Sequence, residues 1–379
     1  MTLNIGVIVH GPGIIDSGCA VKIINMLSTM GNVSCRLGGT MGRTAVIDAS
    51  LENIIDISKK LLPSQSIKLM AQDNDILFLL NYGKSQVTGH TFGYKVYTNS
   101  NTNAKMIQIE RPAEDDGVII SWSDKIDEEF LEELSERLNL PVISSDVAEK
   151  LAIGESSIND DESIIKRKVA GVSPGENIMM NGVIIGRVTG DELIIMAEDD
   201  RIIAMDGGII KEHGLEKLGQ VDLKKAIIKT GLLRKSENVT PRIIRHDDED
   251  DLTAVYLDHA AEDIYKYRNN SIIVSVGDDT TLLSSDILYR FERPVIGITD
   301  GDLDKVVQKA FKMENSLIIQ VESGWDDIVG KKIFDDIFNQ QQIMTIDSID
   351  SLKNEILALI SQLDIEYHIV DNQLDKKFK

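Results

Sequence analysis

The apolar positions along the chain alternate between strand-like runs and helical spacing. Residues 3–9 (LNIGVIV) are apolar almost without a break, as in a strand buried on both faces, and the chain then turns at His10-Gly11-Pro12-Gly13. Ala20, Ile23, Ile24 and Leu27 follow at helical spacing, with Asp16 and Ser17 as candidate N-caps. Further strands are predicted at 33–37, 76–80, 107–109 and 118–122, the stretch TGHTFGYKVY around His90 reads as loop or short strand, and an amphipathic helix runs from Asp124 to about Leu138. Strands alternating with helices predict a doubly wound, Rossmann-like α/β domain over residues 1–153.

The pattern then changes. Residues 154–162 (GESSINDDE) are small and polar and read as a linker. Short apolar runs at 178–180, 183–188, 193–196 and 202–205 are separated by Asn181-Gly182, Gly190-Asp191 and Asp199-Asp200, and Asn-Gly between apolar runs predicts a hairpin. These runs make a small β-rich module over 163–222. A C-terminal α/β domain is predicted for 240–379. It opens with a helix at 252–267 carrying His259 and Asp263, and it centres on a βαβ unit at 271–304 (SIIVSVGDDTTLLSSDILYRFERPVIGITDGDLD). A strand at 317–321 and helices at 330–338 and 352–363 complete it.

Composition narrows the function classes. Forty basic against 62 acidic residues give a net charge of −22, which argues against general affinity for nucleic acid or anionic membranes. Two cysteines, Cys19 and Cys35, exclude a disulfide scaffold and a four-cysteine zinc site. No apolar run approaches the ~20 residues that span a bilayer, and the first apolar run lacks a basic segment before it, so a cytoplasmic protein is expected.

Candidate chemistry collects at the predicted strand ends. Gly11, Gly13 and Ser17 follow the first strand; Gly38, Gly39, Thr40 and Arg43 follow the second; Gly83, Lys84 and Ser85 follow the third. Glycine turns before helices present backbone N–H groups to anions, and an arginine adds a bidentate fork, so a small phosphate-containing ligand is the expected partner. Gly83-Lys84-Ser85 resembles the end of a Walker loop, with Phe78 where that loop has its first glycine. In the C-terminal domain Asp278, Asp279, Asp300 and Asp302 lie at strand ends, joined by Asp304 and Asp326. Clustered carboxylates are costly unless a cation neutralises them, and Mg²⁺ suits oxygen ligands. Shared ligation requires the Asp278 and Asp300 carboxylates to lie within ~8 Å. Glu110 and Arg111 directly follow an apolar strand, placed to orient one another or a ligand or to form a surface ion pair. His213 beside Glu212 suggests an acid–base pair, against which adjacent strand residues face opposite ways.

Asp300-Gly301-Asp302-Leu303-Asp304 after a buried strand resembles the DxD element of the TOPRIM fold, with Val276 where that fold has its glutamate. Gly277-Asp278-Asp279-Thr280 resembles the GGDGT loop of NAD and lipid kinases. Over most of its length the chain resembles an uncharacterised family of methanogenic archaea, on the stretches HGPGIIDSG, GGTMGRTAVIDA, GKSQVTGHTFG, NGVIIGR, IKEHGLEKLG, VGDDTT and GITDGDLD. That resemblance implies an archaeal cytoplasmic protein and carries no reaction. The expectation is a Mg²⁺-dependent protein handling a nucleotide or phosphate ligand. The alternative is a non-catalytic ligand-sensing or assembly protein whose acidic turns only cap helices.

Overall fold

A computed structural model describes residues 2–40, 42–155, 158–161, 164–169, 171–181, 183–226, 228–230, 240–245, 251–258, 264–301, 313 and 315–370. The chain divides into two units, Met1–Val239 and Thr240–Lys379. Both are mixed α/β, and among the described residues no helix is long and apolar enough to cross a membrane.

The first unit opens with β1 (Leu3–His10), α1 (Gly13–Asp16), α2 (Cys19–Ser28), β2 (Gly31–Gly38), α3 (Arg43–Asp48), α4 (Pro63–Met70), β3 (Ile76–Asn81) and α5 (Gln86–Ser100). It continues through β4 (Met106–Glu110), β5 (Val118–Ser121), α6 (Glu128–Leu138), β6 (Val142–Ser144) and α7 (Ser145–Glu155). The six strands form one sheet in the order β2-β1-β3-β4-β5-β6, parallel except where β5 runs against β4. Successive side chains point to opposite faces. Thus Ile5, Val7, Val9, Phe78 and Leu80 pack with Ile14, Ala20, Ile23, Leu27 and Leu134 on one side. Ile8, Leu77 and Leu79 pack with Ile67, Met70, Val96 and Ala148 on the other. Burial on both sides explains why these strands are apolar throughout.

A β-rich section follows: β7 (Ile158–Asp161), β8 (Ile164–Val169), β9 (Asn177–Met180), β10 (Val183–Val188), β11 (Leu193–Glu198), β12 (Arg201–Asp206), β13 (Gly208–Ile210), α8 (Glu212–Leu218) and β14 (Ile228–Thr230). The hairpin across Asn181 joins β9 to β10, and that across Asp199-Asp200 joins β11 to β12, as their turn residues predict. The two hairpins enter separate four-stranded sheets, β13-β10-β9-β14 and β12-β11-β8-β7, which share one core including Ile178, Met180, Leu193 and Ile195.

The second unit contains β15 (Thr253–Leu257), β16 (Ile272–Val276), α9 (Asp278–Leu288), β17 (Val295–Thr299), β18 (Leu317–Val321), α10 (Asp326–Lys332), β19 (Ile343–Thr345), α11 (Ile349–Gln362) and β20 (Tyr367–Ile369). Its sheet runs β19-β15-β16-β17-β18-β20, four parallel strands flanked by an antiparallel strand at each edge. Val274, Val276, Ile296, Ile298 and Ile319 pack with Val329, Ile333, Ile356 and Ile360.

Four local expectations are corrected. The stretch around His90 is the helix α5, opened by Ser85, whose hydroxyl accepts from the Thr88 N–H. Its glycines and β-branched residues lower helix propensity, and packing against β4 overrides them. Asp16 and Ser17 end α1 instead of capping α2, whose N-cap is Gly18 at φ 71°. The expected linker holds the end of α7 and β7. The expected helix at 252–267 begins instead with β15, which has parallel β16 and antiparallel β19 as partners; His259 and Asp263 lie outside the described residues.

Candidate functional site

In the first unit β1, β2, β3 and β4 end level with one another. His10 is in register with Gly38, and Asn81 with Glu110. The chain passes from β1 to β2 on one side and then from β2 across to β3 on the other side of β1. Where connections diverge in this way, the strand ends flank a crevice in which ligands of α/β sheets bind.

The glycine turns at this edge abut each other. Gly11 (φ 77°) and Gly39 (φ 86°) adopt left-handed backbone immediately after β1 and β2. A Cβ on Gly39 would lie 3.8 Å from Cδ2 of His10, one on Gly42 3.0 Å from the Gly11 carbonyl oxygen, and one on Gly13 3.3 Å from Cβ of Tyr82. Gly13 is the first residue of α1, Thr40 lies in the turn before α3, and Arg43 is buried at the start of α3. Ser17 uses its hydroxyl locally, donating to the Ile14 carbonyl at 3.1 Å.

Beneath the turns runs a polar chain. His10 Nδ1 is 2.7 Å from Asn81 Oδ1, and its ring stacks on Phe92 at 4.0 Å between centroids. Asn81 Nδ2 donates to Glu110 Oε2 at 2.7 Å, Gln108 Nε2 donates to the same oxygen at 2.6 Å, and the Gly83 N–H donates to Oε1 at 2.6 Å. Trp122 Nε1 and the Gly89 carbonyl hold the two ends of the Gln108 amide. Glu110 is fully buried. Burial pushes its carboxyl above the usual range, while the donors on Gly83, Asn81 and Gln108 and the charge of Arg111 pull it down. Arg111 donates to the Gly83 carbonyl and to Asp116 Oδ1, clamping the turn after β3.

Gly83, Lys84 and Ser85 open α5, but Lys84 is committed within the unit: its ammonium lies 2.7 Å from Glu176 Oε2 and 3.0 Å from Thr230 Oγ1. Ser85 serves as the N-cap. His213 is exposed on α8, its Nδ1 3.6 Å from Glu216.

In the second unit the turns after β16, β17 and β18 bring acidic side chains together. Asp278 is 5% exposed and hydrogen-bonded to Asp300. Burial first, then Asp300, Asp326 and Asp279, push its carboxyl up to about 7. Its Oδ2 has no hydrogen-bond partner. Asp300 accepts from the Gly324 N–H at 3.0 Å. Gly277, at φ 91°, is the N-cap of α9, and no side chain caps that helix. Among the described residues no group of three or more His, Cys, Asp or Glu is arranged to hold a metal ion; Asp302 and Asp304 lie outside them.

His10, Asn81, Gln108 and Glu110 form one hydrogen-bonded chain at this edge, of which the sequence reading singled out Glu110 alone. A signal was present: the apolar runs of β1, β3 and β4 each end on a polar residue, His10, Asn81 and Glu110.

Residues 7–341 match the family described as "Uncharacterized protein conserved in archaea (DUF2117)". An uncharacterized protein of Methanocaldococcus jannaschii is 46% identical over 335 residues, covering 87% of this chain and 90% of its own length. No solved structure matches. The protein therefore belongs to the DUF2117 family conserved in archaea.

Proposed function

We propose that the protein handles a phosphate-bearing small molecule, a nucleotide included, in a Mg²⁺-dependent manner. The ligand binds at the strand ends of a doubly wound, Rossmann-like domain in the first unit. The observation that carries this reading is the cluster of turns at Gly11–Gly13 and Gly38–Gly42 beside His10, with Gly83 after the neighbouring β3, where the chain passes to β2 on one side of β1 and returns to β3 on the other. Side-chain-free turns let a ligand approach backbone N–H groups, which take an anion without an added positive side chain. With a net charge of −22, local donors and a cation must offset the field of the chain.

The acidic turns of the second unit fit the cation. Mg²⁺ is commonly held by one or two carboxylates and keeps several waters. Asp278 and Asp300 are in contact, and the orphaned Asp278 Oδ2 is a buried acceptor of the kind a cation satisfies. Bound there, Mg²⁺ would neutralise the charge of the second unit's carboxylates.

Thermal unfolding with phosphate, pyrophosphate and a nucleotide panel, each with and without Mg²⁺, tests the reading. A ligand at a hundredfold its Kd stabilises the fold by about 2.7 kcal/mol, a readable shift. Asp278→Asn removes the shift due to Mg²⁺. Absence of any shift with every phosphate compound, in either condition, refutes the proposal.

A further inference from the structure

The chain from Trp122 to His10 has fixed donors and acceptors, and these determine more than a binding edge. The Trp122 indole only donates and the Gly89 carbonyl only accepts, so Gln108 presents its N–H to Glu110. Glu110 is then met by three N–H donors, from Gly83, Gln108 and Asn81, which fits a carboxylate and leaves no acceptor for a carboxylic proton. With the Asn81 amide nitrogen turned to Glu110, its oxygen faces His10. An oxygen at 2.7 Å from Nδ1 requires that Nδ1 carry the proton. In the neutral ring the lone pair is therefore on Nε2. Cδ2, bonded to Nε2, lies 3.8 Å from a Cβ placed on Gly39, and the stack on Phe92 fixes the ring plane.

We infer that His10 is the acid–base residue of this edge, and that Asn81 and Glu110 are positioning residues that hold it as the Nδ1–H tautomer. The inference rests on the reading of the edge as a phosphate-ligand site and adds its chemistry: a ligand hydroxyl or a water gives up a proton there. The O–H bond breaks and the proton bonds to Nε2. The imidazolium so formed keeps its Nδ1–H on Asn81, and the Nε2 proton later returns to the deprotonated oxygen or passes to solvent. A base oriented by a third group is the general arrangement for activating a hydroxyl. The Glu110 carboxylate, through the Asn81 amide, favours the protonated ring.

Imidazole tautomers are read directly from long-range ¹H–¹⁵N correlations on the full chain labelled at histidine, with the His10 signals assigned by their loss in His10→Gln. The expected spectrum has Nδ1 protonated and Nε2 unprotonated, and Glu110→Gln, which adds a donor beside Asn81, abolishes that preference. A wild-type ring protonated on Nε2 overturns the inference. A tautomer unchanged in Glu110→Gln overturns the positioning role. If Glu110→Gln does not fold, Asn81→Leu, which spares the Gln108 and Gly83 contacts of Glu110, gives the same readout. Pyrophosphate with Mg²⁺ separates the two readings. A His10 response to pyrophosphate on an Nε2–H ring overturns the base role and supports the ligand site. The Nδ1–H ring with no response overturns the ligand site and supports the tautomer assignment.

Discussion

A Cβ on Gly93 would sit 1.6 Å from Oε1 of Gln108, and one on Gly89 would sit 2.2 Å from Cδ of Glu110. The two glycines, one helical turn apart on α5, open the space that the buried amide and carboxylate occupy. Gly→Ala inside a helix ordinarily stabilises by about 1 kcal/mol. Here the order reverses: Gly93→Ala and Gly89→Ala each destabilise by about 1–3 kcal/mol, the range of core overpacking. Urea unfolding checks this, with exposed Asn99→Ala as a control within about 0.5 kcal/mol of wild type. A stabilised Gly93→Ala refutes the account.

Glu176 is 3% exposed, and the Lys84 ammonium and the Ser173 N–H both donate to its carboxylate. Lys84→Met takes the ammonium from a buried carboxylate and costs about 1–3 kcal/mol. Replacing both partners, Lys84→Met with Glu176→Leu, costs less than the sum of the single changes. A double-mutant cycle by denaturant unfolding measures the coupling, and strict additivity counts against the pair.

Asp278 gives the second unit a pH dependence of definite sign. Its folded-state carboxyl titrates at about 7 against 3.8 in the unfolded chain, so the folded state holds the extra proton between those values. The contribution is complete below about pH 4 and is lost as pH rises through about 7, at no more than about 1.4 kcal/mol per pH unit for one proton. Asp278→Asn flattens this slope. Hydrogen exchange of second-unit amides from pH 5 to 8 follows it, and a slope unchanged in the variant sinks the assignment.

His90 acts in the opposite sense in the first unit. It is fully buried in α5, and neither ring nitrogen has a hydrogen-bond partner. Burial lowers its pKa below 6.5, against a smaller opposing effect of Asp116. The unfolded state then takes the proton first, so stability holds above about pH 6.5 and declines as pH falls below it. His90→Leu removes that acid-side loss, and a decline of equal steepness in the variant would exclude His90 as its source.

Much of the scaffold was legible in the chain. Strands buried on both faces must be apolar throughout, so β1, β3, β16 and β17 stand out, and the turn residues Asn181-Gly182 and Asp199-Asp200 mark their hairpins. The acidic strand ends at Asp278 and Asp300 were legible for the same reason, since a charge directly after a buried run needs an explanation. Three features depended on the tertiary structure. α5 is a helix against its own propensity because Gly89 and Gly93 must pass over Gln108 and Glu110. Residues 253–257 form a strand because neighbouring strands supply its hydrogen bonds on both sides. His10, Asn81 and Glu110, spread over 101 positions of sequence, become one hydrogen-bonded chain only because β1, β3 and β4 end in register. Local sequence sets burial and turn chemistry residue by residue, whereas register between distant strands is fixed by packing of the whole sheet.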